Sequence, residues 1–489
     1  MDDAYNPSIT TRTVLRWCGV LGALLLALAS VTVHTRTTAI PLWFAGTLLL
    51  VGAWLVLGRR LDGVPLRWLL VTGALWALPL LASFPLESRD AYAYACQGSL
   101  VMGGIDPYTH GPNAQPCPWL DHVHLAWRRS TSPYGPLWLT LAGLGAATHS
   151  LVGAIGVYRL VALGGVALLA WAGHRLAQAL GADPVRAAWL ALLSPLMLVH
   201  GLSGAHNDVL MAGLLVAALA VALRGPPTPA RAVGAGTLAG LAVAVKATAL
   251  VAPPFLALLL VRDRRWWSVV RAELVTGLTV VATYGVLWAA TGYGLGWLPA
   301  LRYTSVRIVE WTSIPTGLGM GAGRVLRVLG YRDLAPHAVS AFRAAGLLVL
   351  AVLLVVLWLW ARHRLAPRDV VLAAGIGLAA TVLLSPVAFP WYALTSLAVL
   401  GYGLVNDRGR YWLGVAVAPT TLLILPSGNG LAAMYKKPGG FIDGTLVLVA
   451  LYFGVRYLRS YLRSRRRPQP VEHQPVEHQR AEHQRAEQR

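Results

Sequence analysis

VLRWCGVLGALLLALASVTV, from Val14 to Val33, is the first of many apolar runs in this chain, and such runs decide its fold class. A helix rises 1.5 Å per residue, so about 20 apolar residues cross the roughly 30 Å hydrocarbon core of a bilayer. Similar runs predict spans near residues 41–57, 66–84, 159–174, 186–201, 206–223, 232–246, 249–262 and 268–290. Others follow near 341–361, 369–385, 389–404, 411–426 and 441–457. The reading is an all-α polytopic membrane protein with about 13–14 transmembrane helices. Composition agrees: 56% of the 489 residues are hydrophobic and 12% charged, against about 25% charged in an ordinary soluble domain.

The formal charge of +21 could suggest nucleic acid, but the basic residues gather in short loops between apolar runs. Arg59, Arg60 and Arg67, then Arg262, Arg264 and Arg265, then Arg362, Arg364 and Arg368 occupy alternate loops. That is the positive-inside pattern, so no nucleic-acid partner is expected and the partner is membrane lipid. Arg12 and Arg16 lie at the start of the first run and put the N-terminus in the cytoplasm. This run has no small-residue cleavage site after it and reads as a span or signal anchor. Residues 1–462 form the membrane domain, with outer loops at 85–158 and 291–340. Residues 463–489, a polar quasi-repeat ending EHQRAEQR, read as a disordered cytoplasmic tail. Within the first outer loop, Leu137 to Ala147 is apolar but too short to cross, which suits an interfacial helix. Cys18, Cys96 and Cys117 make no metal-ligand pattern. The last two share the outer loop, and whether they pair is open.

Three stretches carry chemistry: RDAYAYACQGSLVMGGIDPY (Arg89–Tyr108), SPYGPLW (Ser132–Trp138) and GAHND (Gly204–Asp208). Asp90 sits just past the third span, where a helix cap or a pairing with Arg89 would be ordinary. Its neighbours Tyr94, Gln97, Asp106 and Tyr108, with Tyr134 in the second stretch, shift the weight toward a sugar site. Carboxylates and amides bond sugar hydroxyls, while rings stack on the apolar sugar face. Some of these tyrosines would belong to an interfacial aromatic belt in any case. His206, Asn207 and Asp208 exceed what one helix cap needs, and His206 could act as a base near neutral pH. Lys246 interrupts LAVAVKATALVA and calls for a cavity and an anionic partner, such as a lipid phosphate. Arg302, Arg307 and Glu310 lie in the second outer loop.

Together these motifs resemble the actinobacterial polyprenol-phosphomannose-dependent α-1,6-mannosyltransferases, membrane glycosyltransferases of the GT-C type. The resemblance covers residues of about 60 to 455. It implies a GT-C bundle whose first outer loop bears an acidic residue near its start, the place Asp90 holds. It implies a donor of polyprenyl-phosphate mannose and an acceptor of growing α-1,6-mannan, the backbone of lipomannan and lipoarabinomannan. The site would face outward from the plasma membrane, with both termini cytoplasmic. Many GT-C members carry two adjacent acidic residues there; this chain has Arg89–Asp90, so the base stays open between Asp90 and His206. A β-linked donor and α-linked product imply inversion in one displacement. The phosphate leaving group needs cations, for which Lys246, Arg302 and Arg307 are the candidates, and no catalytic metal or cofactor is expected. Rival readings are an arabinosyl or glucosyl transferase of the same type, and a lipid or sugar transporter or flippase.

Overall fold

The computed structural model describes residues 7–404 and 406–465. The chain begins with α1 (Pro7–Val31), α2 (Arg36–Gly58) and α3 (Leu66–Ala82), then α4 (Asp90–Met102) and α5 (Pro136–Ala146) in the first long loop. Next come α6 (Leu151–Leu180), α7 (Pro184–Ala191), α8 (Asp208–Ala222), α9 (Pro229–Val245), α10 (Ala252–Leu258) and α11 (Trp266–Thr291). The second long loop holds α12 (Trp297–Arg307) and α13 (Ile314–Val328). The remainder is α14 (Ala338–Arg364), α15 (Pro367–Leu384), α16 (Ala393–Gly403), α17 (Asp407–Val417), α18 (Leu431–Met434) and α19 (Lys436–Arg465). Among the described residues, those up to Gly440 form one compact unit and those from Phe441 onward another.

Among the described residues, six helices are long and apolar enough to cross a membrane, or seven if the bent pair Met197–Ser203 and Asp208–Ala222 is one span. The protein is therefore a multi-pass membrane protein. Several expected spans are shorter or broken, because hydropathy reads composition and not the path of the backbone. Pro195 follows α7, and a π-helical turn, Met197–Ser203, then bends by 110° into α8. The apolar stretch 232–262 breaks at Lys246, whose backbone is extended (φ −154°, ψ 135°), and continues as a 3₁₀ turn before Pro253 and Pro254. Pro419 likewise ends α17 in a 3₁₀ turn. Proline lacks the N–H that an unbroken helix requires.

The helix α8 is buried on nearly every face, packed among α6, α9 and α16, as befits a helix that is apolar all round. By contrast α14 exposes Leu348, Val352, Val355, Val356 and Leu359, a surface that only a bilayer solvates well. The short helix expected near 137–147 is α5, one residue earlier. The first long loop closes at Ser150, whose side chain caps α6. The tail from 466 onward lies outside the described residues.

Candidate functional site

A cavity of about 510 Å³ opens beside α4. Its polar lining includes Asp90, Gln97, Tyr134, Lys246 and Arg302, and its apolar wall includes Leu301, Leu347, Leu378 and Val382. Asp90 is the first residue of α4 and is 9% exposed. Its amide donates to Ser88 Oγ at 3.1 Å. Burial pushes its carboxyl up to about 7; Lys246 opposes that shift and the Asp208 charge adds to it. A carboxyl held there is a base matched to neutral pH.

Lys246 Nζ lies 2.9 Å from both carboxylate oxygens of Asp208 and 4.0 Å from the centre of the Tyr392 ring. Asp208 is the first residue of α8 and is buried behind the lysine. The extended backbone at Lys246 pairs antiparallel with Tyr134, and Gly135 N donates to Val245 O at 3.2 Å. Only glycine fits at 135: a Cβ there would stand 2.3 Å from Ala244 O. The first long loop is thereby zipped onto the end of α9.

The GGIDPY turn supports that strand from behind. Tyr108 OH donates to Tyr134 O, and Tyr108 N donates to Asp106 Oδ1, both at 2.8 Å. Ser132 N donates to Pro107 O at 2.8 Å, and Ser132 Oγ donates to Gln97 Oε1 at 3.3 Å. Tyr94 is buried edge-on to Tyr134, Trp138 and Tyr158. A disulfide joins Cys96 on α4 to Cys117 in the loop, so the segment carrying Trp127, Ser130 and Thr131 is tied above the cavity they line.

His206 is buried with its ring stacked on Trp391 at 4.2 Å, and its Nδ1 lies 3.7 Å from Asp90 Oδ2. Phe389, parallel to Trp391 at 4.7 Å, carries the stack to the cavity wall. Asn207 is buried, and neither amide atom has a hydrogen-bond partner among the described residues.

Two family models match this chain. Residues 13–262 match the Alpha-(1->6)-mannopyranosyltransferase N-terminal domain, and residues 315–458 match the MptB C-terminal domain. The chain belongs to the alpha-(1->6)-mannopyranosyltransferase family. Alpha-(1->6)-mannopyranosyltransferase A of Mycobacterium tuberculosis is 36% identical over 89% of this chain and 84% of its own length. The protein of the same name from Corynebacterium glutamicum is 31% identical over 82% and 86%. An Archaeoglobus fulgidus oligosaccharyltransferase structure aligns at a TM-score of 0.36 with 14% identity, over 71% of this chain and 50% of that one, too slight a likeness to carry an argument.

Placed in this member of the mannopyranosyltransferase family, the residues singled out in the sequence divide. Asp90, Gln97, Tyr134, Lys246 and Arg302 meet in the cavity, whereas His206 and Asp208 stand directly behind Asp90 and Lys246. Tyr94, Asp106 and Tyr108 are outside its lining; Asp106 is exposed and shapes a turn, and the tyrosines buttress. Glu310 is also outside the lining, where burial raises its carboxyl and Lys436 opposes that rise. The Arg307 side chain lies outside the described residues. Asp90 does not pair with Arg89, whose Nε donates instead to Ser427 O at 2.8 Å. Within the protein, the anion facing Lys246 is Asp208.

Sequence reasoning missed Arg159, Glu87, His200 and the FPWY stretch, Phe389–Tyr392. Arg159, buried in α6, donates to Leu81 O at 2.7 Å and Ser203 O at 2.9 Å, fixing the end of α3 to the π turn. An isolated arginine inside a predicted span was the available signal for it. The signal for the fourth stretch was two aromatics around Pro390 at the start of an apolar run.

Proposed function

We propose that this protein transfers mannose from polyprenyl-phosphate mannose to the 6-hydroxyl of a growing α-1,6-mannan, the lipomannan and lipoarabinomannan backbone. The transfer takes place on the outer face of the plasma membrane, with inversion. The names of its relatives support the sugar and the linkage. The observation that carries the site assignment is Asp90: among the described residues it is the one carboxylate lining the cavity, and it sits beside the Lys246–Asp208 pair.

Asp90 takes the proton from the acceptor hydroxyl as that oxygen attacks the anomeric carbon, and the bond to the lipid phosphate breaks on the opposite face. The phosphate leaves as a stable anion, so it needs positive charge more than a proton. Lys246 is largely neutralised by Asp208 and offers its remaining N–H. Arg302 brings a second cation to the same cavity lining. The apolar wall of Leu301, Leu347, Leu378 and Val382 suits a polyprenyl chain reaching in from the bilayer. The Cys96–Cys117 disulfide supports an outward-facing loop, because such bonds persist in oxidising compartments.

The test uses proteoliposomes containing the protein, radiolabelled polyprenyl-phosphate mannose and a short α-1,6-mannoside. Transfer by the wild type, lost in Asp90→Asn at equal expression, is the expected result. Transfer from an arabinosyl or glucosyl lipid alone would change the sugar. Failure with all three donors, together with movement of lipid between leaflets, would replace the enzyme with a flippase.

A further inference from the structure

Behind Asp90 lies a second group of ionisable side chains that the transfer step does not touch. Glu87 precedes α4 in left-handed backbone with φ of 59°, a conformation rare for a residue with a side chain. Its carboxyl is fully buried. Oε1 accepts from Trp43 Nε1 at 2.7 Å, and Oε2 lies 3.2 Å from His200 Nε2. That second contact is close in distance but off-line in angle, so neither ring nitrogen of His200 makes a directed hydrogen bond among the described residues. The same holds for His206. The two imidazoles are 6.4 Å apart and share Trp391, at 5.5 Å from His200 and 4.2 Å from His206. The line ends at Asp90, 3.7 Å from His206.

A buried carboxyl on strained backbone costs stability, and such groups cluster at functional sites. We infer that Glu87 and His200 are positioning residues of the transfer reaction, acting on Asp90 through His206. The inference rests on Asp90 being the base. Burial raises the Glu87 carboxyl well above the usual carboxylate range, against the Trp43 hydrogen bond; in the proposed relay the resting pair carries one proton, on Glu87. When Asp90 is ionised, that proton moves to His200: the Oε2–H bond breaks, an Nε2–H bond forms, and no proton leaves the cluster. The imidazolium then stands on the Asp90 side of the pair and favours the anionic base. When Asp90 takes the acceptor's proton, the shift reverses. The other groups facing Asp90 are Lys246, Asp208, Tyr94, Tyr134 and Tyr392; Trp43 faces Glu87 from α2. Their charges do not change in this exchange.

Glu87→Gln and His200→Asn should each lower kcat by about tenfold, less than the roughly 10²–10⁴ carried by a base itself. The KM for the mannosyl lipid should hold, while the acid limb of the pH profile moves to higher pH. The double variant should match either single, because the two act as one unit. Trp43→Phe keeps the carboxyl but removes its donor, and should move the limb the same way if Glu87→Gln folds poorly. Unchanged profiles in folded variants, or additive losses, would overturn the inference. A second readout needs no substrate: the infrared carbonyl band of a protonated carboxyl should vanish in Glu87→Gln and shift in Asp90→Asn. A Glu87 band indifferent to Asp90→Asn removes the coupling even if the donor assignment stands. A wild type inactive on mannosyl lipid would refute the proposed activity while leaving this band to decide the relay.

Discussion

Replacing Lys246 with methionine leaves Asp208 as a carboxylate sealed behind the cavity with no cation against it. The lysine nitrogen is 2.9 Å from both oxygens, and the side chains are 10% and 1% exposed. At an effective dielectric of about 20, two unit charges at 2.9 Å attract by about 6 kcal/mol. Most of that attraction is offset by the cost of removing both charges from water. What remains exposed to experiment is the asymmetry. Removing one partner should cost about 3–5 kcal/mol, whereas removing both, in Lys246→Met/Asp208→Asn, should leave the protein within about 1–2 kcal/mol of wild type. Reversible unfolding in mixed micelles, followed by tryptophan fluorescence, measures all four corners of the cycle. If the double variant loses the sum of the single losses, the pair is uncoupled and the reasoning fails. The side chain that remains would then have found water or another partner.

For the wild type, kcat/KM should rise with pH through about 7, since Asp90 must be ionised to act and burial holds it there; a flat profile from pH 5 to 8 would exclude Asp90 as the base. Gly135→Ala drives a Cβ to within 2.3 Å of Ala244 O. It should cost about 1–3 kcal/mol and lower activity by displacing Tyr134 from Lys246, as thermal unfolding and transfer assays would show. Cys96→Ser frees a loop closed across a sequence separation of 21. It should lose about 3 kcal/mol of constraint and open residues 103–130 to proteolysis. Protection equal to wild type would mean that the α4 contacts alone hold the roof.

The membrane class and the principal site residues were legible because each rests on local chemistry. Runs of apolar residues report spans, and a lysine inside one reports a cavity. Asp90, Gln97, Tyr134 and Lys246 were found this way and do meet. What the sequence could not resolve depends on backbone path. Nothing local says that LSPLMLVHGLSG bends by 110°, or that Lys246 is extended and pairs with Tyr134, 112 positions away in sequence. Asp106 resembled a ligand because turn-forming and sugar-binding carboxylates share one residue type. Glu87 was passed over because its partners, Trp43 and His200, come from distant segments.

The two acidic residues of the centre also head helices. Asp90 opens α4 and Asp208 opens α8. Each helix start carries roughly half a positive charge from its aligned peptide dipoles. Counted as side chains, Asp90, Asp208 and Lys246 sum to one negative charge. Counted with the backbone, the two helix starts return about one positive charge to the same spot. In the proposed transfer, those helix starts offset repulsion between an ionised Asp90 and an anionic donor.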